Sequence, residues 1–446
     1  MTARAWRSAL ADEVRTGYWF VPTILALLAV VGATFTVWLD EALGSSVAIP
    51  GVWTGGADGA RALLATAAGA IITTAGVTFS IAIVAITVAT AQFGPRLLRN
   101  FLQDVGSQVS LGALLATFLY ALLVLRTVRG PEEGEFVPHL SVTIAIALTV
   151  ASVIVLIYFI HHAVAGIQVA NILAAAAADL EALVGRLYPE GIGHEPAAGT
   201  IPPADAERSS VVRARRSGYV ESVDGDRLVA AGRRADGVVR LLVRPGTFVE
   251  PGVELAVVVA ARAGTDVARD VDGALRLSRQ RTERQDIEFA VQQIAQVAIR
   301  ALSPAYNDPF TALMALDRLA TALSDLAGRP WPSPLRCDAR GAVRVVADAP
   351  AFPVLLSQAV GEIRRSGRGS LTVSVRILEA LVLVGEHAVR DDDRRAVIRQ
   401  AQRVLEDTAA TLVMPHERSL LERRLEDVRR AVRNSGGGVP PAGAAA

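Results

Sequence analysis

The chain has 446 residues, is 52% hydrophobic, and carries a formal net charge of +1 with a mean hydropathy of +0.38. That hydropathy is high for a soluble protein and low for a purely membrane one, so a membrane half and a water-soluble half are expected. All 45 Lys and Arg positions are arginine, which excludes lysine Schiff bases, a Walker lysine and biotinyl- or lipoyl-lysine; near-neutral charge gives no argument for nucleic acid, and the single cysteine, Cys337, excludes an internal disulfide or a thiolate metal cage.

Arg4, Arg7 and Arg15, with Trp6, Tyr18 and Trp19, mark a membrane entry, where arginine and aromatics meet the headgroups. The first span is predicted over 21–39. Trp38-Leu39-Asp40 reads as an anchored exit, not as a signal-cleavage site.

The second span, 62–92, is uncharged and longer than a hydrocarbon core of ~30 Å requires, so it tilts or projects. Thr66, Thr73, Ser80 and Thr87 recur every seven residues, and Gly69, Gly76, Ile83 and Thr90 fall three after each. A seven-residue period returns to nearly the same helix face, so these eight form one narrow, small, weakly polar stripe. Such a stripe is either a helix-packing seam or the wall of a water-filled path. Ile71, Ile72, Val77, Ile81, Val84, Ala85 and Val88 are apolar enough for lipid or neighbouring helices.

Gly94-Pro95 ends that helix. The piece after it, with Arg96 and Arg99, suits either the membrane surface or an ordinary loop. The third span is predicted over 108–125 and the fourth over 140–160, the latter running into His161-His162. Arg4, Arg7, Arg15, Arg96 and Arg99 fall on one side of the membrane and Arg61, Arg126 and Arg129 on the other. This bias predicts both termini in the cytoplasm.

A stalk helix over 163–189 and a Pro- and Gly-rich linker over 190–209 follow. Residues 210–262 read as short strands punctuated by Gly225, Gly237, Pro245-Gly246 and Pro251-Gly252, a small β-barrel-like domain with Leu228-Val229 among its strands. Arg244–Leu255 resembles the half-motif of barrel-sandwich carrier domains. Without the modified lysine, the resemblance implies architecture and not a carrier. Residues 270–433 read as a cytosolic helical domain containing a strand-like 342–347, and 434–446 as a disordered tail. Asp308 and Pro309 predict an N-cap and first position for a helix running to Gly328. The fold class is therefore a four-span α-helical membrane domain plus a cytosolic α+β part.

The Leu302-Ser303-Pro304-Ala305-Tyr306-Asn307-Asp308-Pro309 break, the Phe79–Leu98 segment and the four spans resemble the bacterial predicted-membrane-protein family Domain of Unknown Function 2254. The resemblance covers nearly the whole chain. It implies a bacterial plasma-membrane location and brings no established activity, cofactor or substrate.

Asp286, Arg300, Asn307 and Asp308 are the candidate cytosolic site, with Glu288, Gln292, Gln293 and Asp317 nearby; caps and interhelical ion pairs are the competing reading. His161-His162 suit a pH sensor or an interfacial belt. Asp391-Asp392-Asp393 suit a divalent cation or a helix start. Arg213, Arg215 and Arg216 suit anionic lipid or a solvated face. No nucleophile–base–acid set is readable, so no enzyme, cofactor or metal is expected. Two functions remain: a homo-oligomeric channel for small ions lined by the second span, or a membrane-anchored scaffold or sensor whose cytosolic helices bind a partner.

Overall fold

The computed structural model describes residues 19–43, 52–93, 104–130, 134–166, 168–188, 209–260, 265–409 and 414–435. The expectations for residues 1–18, for Gly94–Gln103, for nearly all of the linker and for the tail beyond Ser435 lie outside them. The chain divides into two compact units, Met1–Ile172 and Leu173–Ala446.

The first unit holds four helices long and apolar enough to cross a membrane: α1 (Phe20–Leu43), α2 (Ala57–Phe93), α3 (Val105–Thr127) and α4 (His139–Gly166). Each extends beyond its expected span, because polar residues such as Asp40 and Glu41 continue the helix past the apolar run. The α3 helix is central. Half of its most apolar window is buried, against 17% to 28% in the others. At Gly112 an added Cβ would lie 2.9 Å from the Pro22 Cα, so glycine sets the close approach of α1. Polar side chains tie the same helices together: the Thr36 and Tyr120 hydroxyls are 2.8 Å apart, and the Ser152 hydroxyl donates to the Thr117 hydroxyl at 3.2 Å.

Both ends of α4 are held by carboxylates. At its start, Asp40 of α1 accepts hydrogen bonds from Leu140 N and Ser141 N, both at 2.9 Å, and from the Ser141 hydroxyl at 2.6 Å. The first N–H groups of a helix have no partner within the helix, and an acceptor there satisfies them and complements the dipole. At the other end, Asp104 caps α3 through Ser107 N and meets His162 Nε2 at 2.9 Å. Tyr158 stacks on that imidazole. Gly106 is required beside this pair, since a Cβ would come within 2.7 Å of His162 Nε2.

Leading into the second unit, α5 (Val169–Leu187) is a separate helix from α4, which ends at Gly166. The expected stalk is thus two helices. The strands β1 (Ser209–Arg213), β2 (Gly218–Val223), β3 (Gly237–Leu241), β4 (Phe248–Val249), β5 (Glu254–Ala260) and β6 (Leu275–Ser278) are joined by helices α6 (Gly225–Arg234) and α7 (Thr265–Ala274). Leu228-Val229 lies in α6 and not in a strand. Asp224 caps that helix through Arg227 N, and arginines occupy its last turn.

The helical segment comprises α8 (Ile287–Ala301), α9 (Pro309–Gly328), α10 (Phe352–Ser366), α11 (Leu371–His387), α12 (Asp391–Ala409) and α13 (Pro415–Ser435), so the expected tail begins inside α13. It also contributes β7 (Leu335–Cys337) and β8 (Val343–Val346) to the sheet. One sheet runs β1-β5-β3-β8-β7, with β8 parallel to β3; the other runs β4-β2-β6. Two open sheets replace the expected barrel-like domain, and the β part is not confined to 210–262. The β3–β8 pairing closes a loop of about a hundred residues, which no local pattern announces.

Burial of Asp104 pushes its carboxyl up, but hydrogen bonds from Ser107 and His162 outweigh this and hold it below its ordinary 3.8. A depressed carboxylate stabilises the fold above its unfolded pKa, and the gain is lost as pH falls through the folded value. Asp104→Asn should therefore lower thermal stability in detergent at pH 5. The gap from the parent protein should close only below about pH 4, read by differential scanning fluorimetry across pH.

Candidate functional site

On α2 the structure separates two heptad patterns. Leu64, Ala68, Ile71, Ala75, Thr78, Ala82 and Ala85 are buried in the unit. Thr66, Gly69, Thr73, Gly76, Ser80, Ile83 and Thr87 are exposed, and Thr90 is half-buried. The buried set is offset by two positions from the stripe, about 200° around the helix. The intramolecular packing seam is therefore the alanine face, and the Thr/Ser/Gly stripe points away from the other three helices. Of the side chains read as apolar enough for lipid or neighbours, Ile71 and Ala85 are buried, whereas Ile72, Val77, Ile81, Val84 and Val88 are exposed. Built Cβ atoms at Gly69 and Gly76 meet nothing within 4 Å. Thr73, Gly76, Val77, Ser80, Ile81 and Val84 line a shallow open groove.

Four of the stripe hydroxyls are satisfied on their own helix. Thr66 donates to Ala62 O at 2.7 Å, Thr73 to Gly69 O at 2.8 Å, Ser80 to Gly76 O at 3.0 Å and Thr87 to Ile83 O at 2.8 Å. The oxygens keep lone pairs for an outside donor. The outward faces of the neighbouring helices are different in kind: Leu27, Leu28, Val31 and Phe35 on α1, and Val150, Val153, Ile154 and Ile157 on α4, are bulky hydrocarbons.

In the second unit the four candidate residues do not converge. Asp286 caps the start of α8, while Arg300, Asn307 and Asp308 lie at or beyond its far end, about 22 Å away along a 15-residue helix. The Ser303–Asp308 break is a tight corner. Ser303 O accepts from Tyr306 N and Asn307 N, Asn307 takes φ 45°, and Asp308 accepts from Thr311 N at 3.2 Å and the Thr311 hydroxyl at 2.6 Å. Asn tolerates that left-handed backbone better than most residues do. This corner is built of caps.

Asp286 belongs instead to a polar network that includes Arg281, a residue not singled out from the sequence. Its carboxylate, 2% exposed, accepts from Arg281 Nε at 2.5 Å, Arg281 Nη2 at 3.1 Å and Phe289 N at 3.0 Å. Arg281 also reaches Gln292 Oε1 at 3.1 Å, and Arg244 lies 3.5 Å from Glu288. Gln285 pairs with both backbone groups of Val223. Burial pushes the Asp286 carboxyl up, with the Arg281 charge opposing. Asp286, Glu288 and Gln292 are singled out from the sequence, whereas Arg281 is not, and neither is the pairing of Arg244 with Glu288 or of Gln285 with Val223, because it joins the α8 start to the β3–β4 turn and the β2 end. Gln293 joins a neighbouring contact, donating to Glu283 Oε1 at 2.5 Å. Asp317 pairs with Arg376 at 3.1 Å.

Most of the remaining candidates find structural partners, and the others are exposed. Asp391, Asp392 and Asp393 open α12 and pair with Arg394, Arg395 and Arg390. Arg213 pairs with Glu254 at 2.8 Å, and Arg215 and Arg216 are exposed. His161 is exposed beside the His162–Asp104 pair. Among the described residues no group of three His, Cys, Asp or Glu side chains is arranged to hold a metal.

Four apolar helices in one unit and a separate α/β unit define a polytopic α-helical membrane protein. The chain belongs to the predicted membrane protein family DUF2254, whose profile matches residues 15–382. It is similar to the uncharacterized proteins Mb1321c of Mycobacterium bovis and Rv1290c of Mycobacterium tuberculosis, each 31% identical over 417 residues, covering 90% of this chain and 79% of the relative. No solved structure matches it.

Gly246 seats the β3–β4 turn on Asp286. Its φ is +88°, and a Cβ there would fall 2.1 Å from the Asp286 Oδ2. Gly252, with φ +92°, has open space around it. Gly252→Ala should therefore cost about 1 kcal/mol, the backbone penalty alone. Gly246→Ala should cost clearly more, roughly 3 kcal/mol, by displacing a paired buried carboxylate as well. Chemical denaturation of the full chain, followed by circular dichroism, checks the order.

Proposed function

We propose that the protein is a non-enzymatic, homo-oligomeric channel or pore for small ions in the bacterial plasma membrane, with both termini in the cytoplasm. Copies of α2 surround the path, lined by Thr66, Gly69, Thr73, Gly76, Ser80, Ile83, Thr87 and Thr90, and the second unit regulates it from the cytosol. The observation that supports this reading is the outward direction of the stripe. A stripe of small, mostly hydroxyl-bearing residues, flanked by exposed Val77, Ile81 and Val84, lies on the face of α2 that no helix of its own chain covers, while the outward faces of α1 and α4 are mainly bulky and suited to lipid. Four spans with such a face bury little alone, and close approach of a second copy is the natural use of Gly69 and Gly76.

A second reading is a membrane-anchored scaffold or sensor, in which the stripe only packs. The internally satisfied hydroxyls favour it, since a packing seam needs no water. The two readings part at Ser80→Trp, measured by planar-bilayer recording together with the oligomer mass in detergent. The pore reading expects discrete conductance steps from the parent protein, and a variant that assembles normally but conducts at a changed or abolished level. An assembled but silent parent protein across pH and voltage, or a variant that loses assembly, overturns the pore and favours the scaffold.

A further inference from the structure

The second unit contains a cavity of 210 Å³ that neither reading uses. Its walls come from four places in the chain: the α5 end (Tyr188), α6 and the strand after it (Leu228, Leu241), the α8 start (Ile287) and the strand pair β7–β8 with the segment after it (Arg336, Asp348, Ala349). The volume exceeds the ~150 Å³ of a cavity that takes benzene and falls short of the ~300 Å³ of a drug-sized site. It suits a compact ligand of about a dozen heavy atoms.

The charged groups on the wall divide into two kinds. Arg244 and Asp286 are committed, to Glu288 at 3.5 Å and to Arg281 at 2.5 Å. Arg336 uses one nitrogen, Nη1, on the carbonyls of Ser333 and Leu335 in its own loop. The rest of its guanidinium fork makes no bond to a described residue, and both Arg336 and Asp348 are exposed, so they stand at the solvent side of the wall. Asp348 has no ion pair among the described residues, and it does not pair with Arg336 although both line the same cavity. A guanidinium and a carboxylate held apart over an apolar pocket match a ligand that carries both opposite charges on one end. Tyr188 adds an aromatic wall: the residue is 1% exposed, its ring is 4.7 Å from Trp331, and Arg390 lies over that tryptophan at 4.6 Å. Its hydroxyl bonds to no described residue.

We propose that this cavity binds a free α-amino acid with an apolar or aromatic side chain. The side chain lies among Tyr188, Leu228, Leu241 and Ile287, the carboxylate meets Arg336, and the ammonium meets Asp348. The site does not depend on whether α2 lines a pore.

The test is calorimetric titration of the full chain in nanodiscs, with empty nanodiscs subtracted, using phenylalanine, 3-phenylpropionate and phenethylamine. These share one apolar body and carry both charges, the anion alone and the cation alone. Saturable binding is expected, with phenylalanine at least tenfold tighter than either fragment. Arg336→Gln should weaken phenylalanine and phenylpropionate by roughly tenfold and spare phenethylamine. Asp348→Asn should weaken phenylalanine and phenethylamine and spare phenylpropionate. Ala349→Trp, which fills the cavity from its rim, should abolish all three; if that variant does not fold, the two charge variants decide alone. Absence of saturable binding, equal affinity for the three probes, or indifference to both charge variants overturns the proposal.

Discussion

A carboxylate seated on the free N–H groups of a helix start is the interaction on which both units depend. A helix buried in apolar surroundings cannot leave its first N–H groups unpaired, because no water is there to take them. Asp40 satisfies α4 from a neighbouring helix, and Asp104 satisfies α3 while gripping His162. Asp286 and Asp308 do the same for α8 and α9. In the first three cases the carboxylate also fixes a second element: the α1 end against α4, α3 against the far end of α4, and the arginine network beside the β3–β4 turn; among the described residues the Asp308 carboxylate bonds only to Thr311 of its own helix, and its backbone N–H reaches Ala301 O. At those three positions capping and tertiary placement are thus one interaction.

The α2 helix shows how one sequence can carry two faces. Its alanine heptad lets α3 and α4 approach closely, and its Thr/Ser/Gly heptad, about 200° away, stays uncovered. The first face builds the unit. The second is spare, and its regular repeat of small and hydroxyl-bearing residues contrasts with the mainly bulky outward side chains of α1 and α4. The functional reading rests on that difference. It is independent of the amino-acid cavity, which belongs to the other unit and is built from segments far apart in the chain.

What could be read in advance follows from the range of the forces involved. Apolar runs longer than a bilayer's thickness identify spans wherever they occur, so the four helices were legible, with ends displaced by a few residues. Asp308 followed by Pro309 is a local signal, and that cap is as expected. The Thr/Ser/Gly stripe was legible as a stripe, since periodicity belongs to the helix itself. Which of two competing heptads turns inward was not, because that depends on the neighbours. Leu228-Val229 reads as strand by composition and is helix in fact, because the Asp224 cap and the sheet it packs on outweigh weak β propensity.

The sequence by itself determined the membrane class, the number and approximate limits of the spans, the family, the absence of lysine chemistry and the helix corner at Ser303–Asp308. These depend on composition, length and contacts within a few residues. Only the tertiary structure decided that β7 and β8 join a sheet begun more than a hundred residues earlier, that Arg244 meets Glu288, and that Arg336 and Asp348 share a cavity wall with Tyr188. Each of these is a pairing between distant segments. Such pairings are selected by burial and by the closing of backbone hydrogen bonds across the whole domain, and neither leaves a periodic or local trace in the chain.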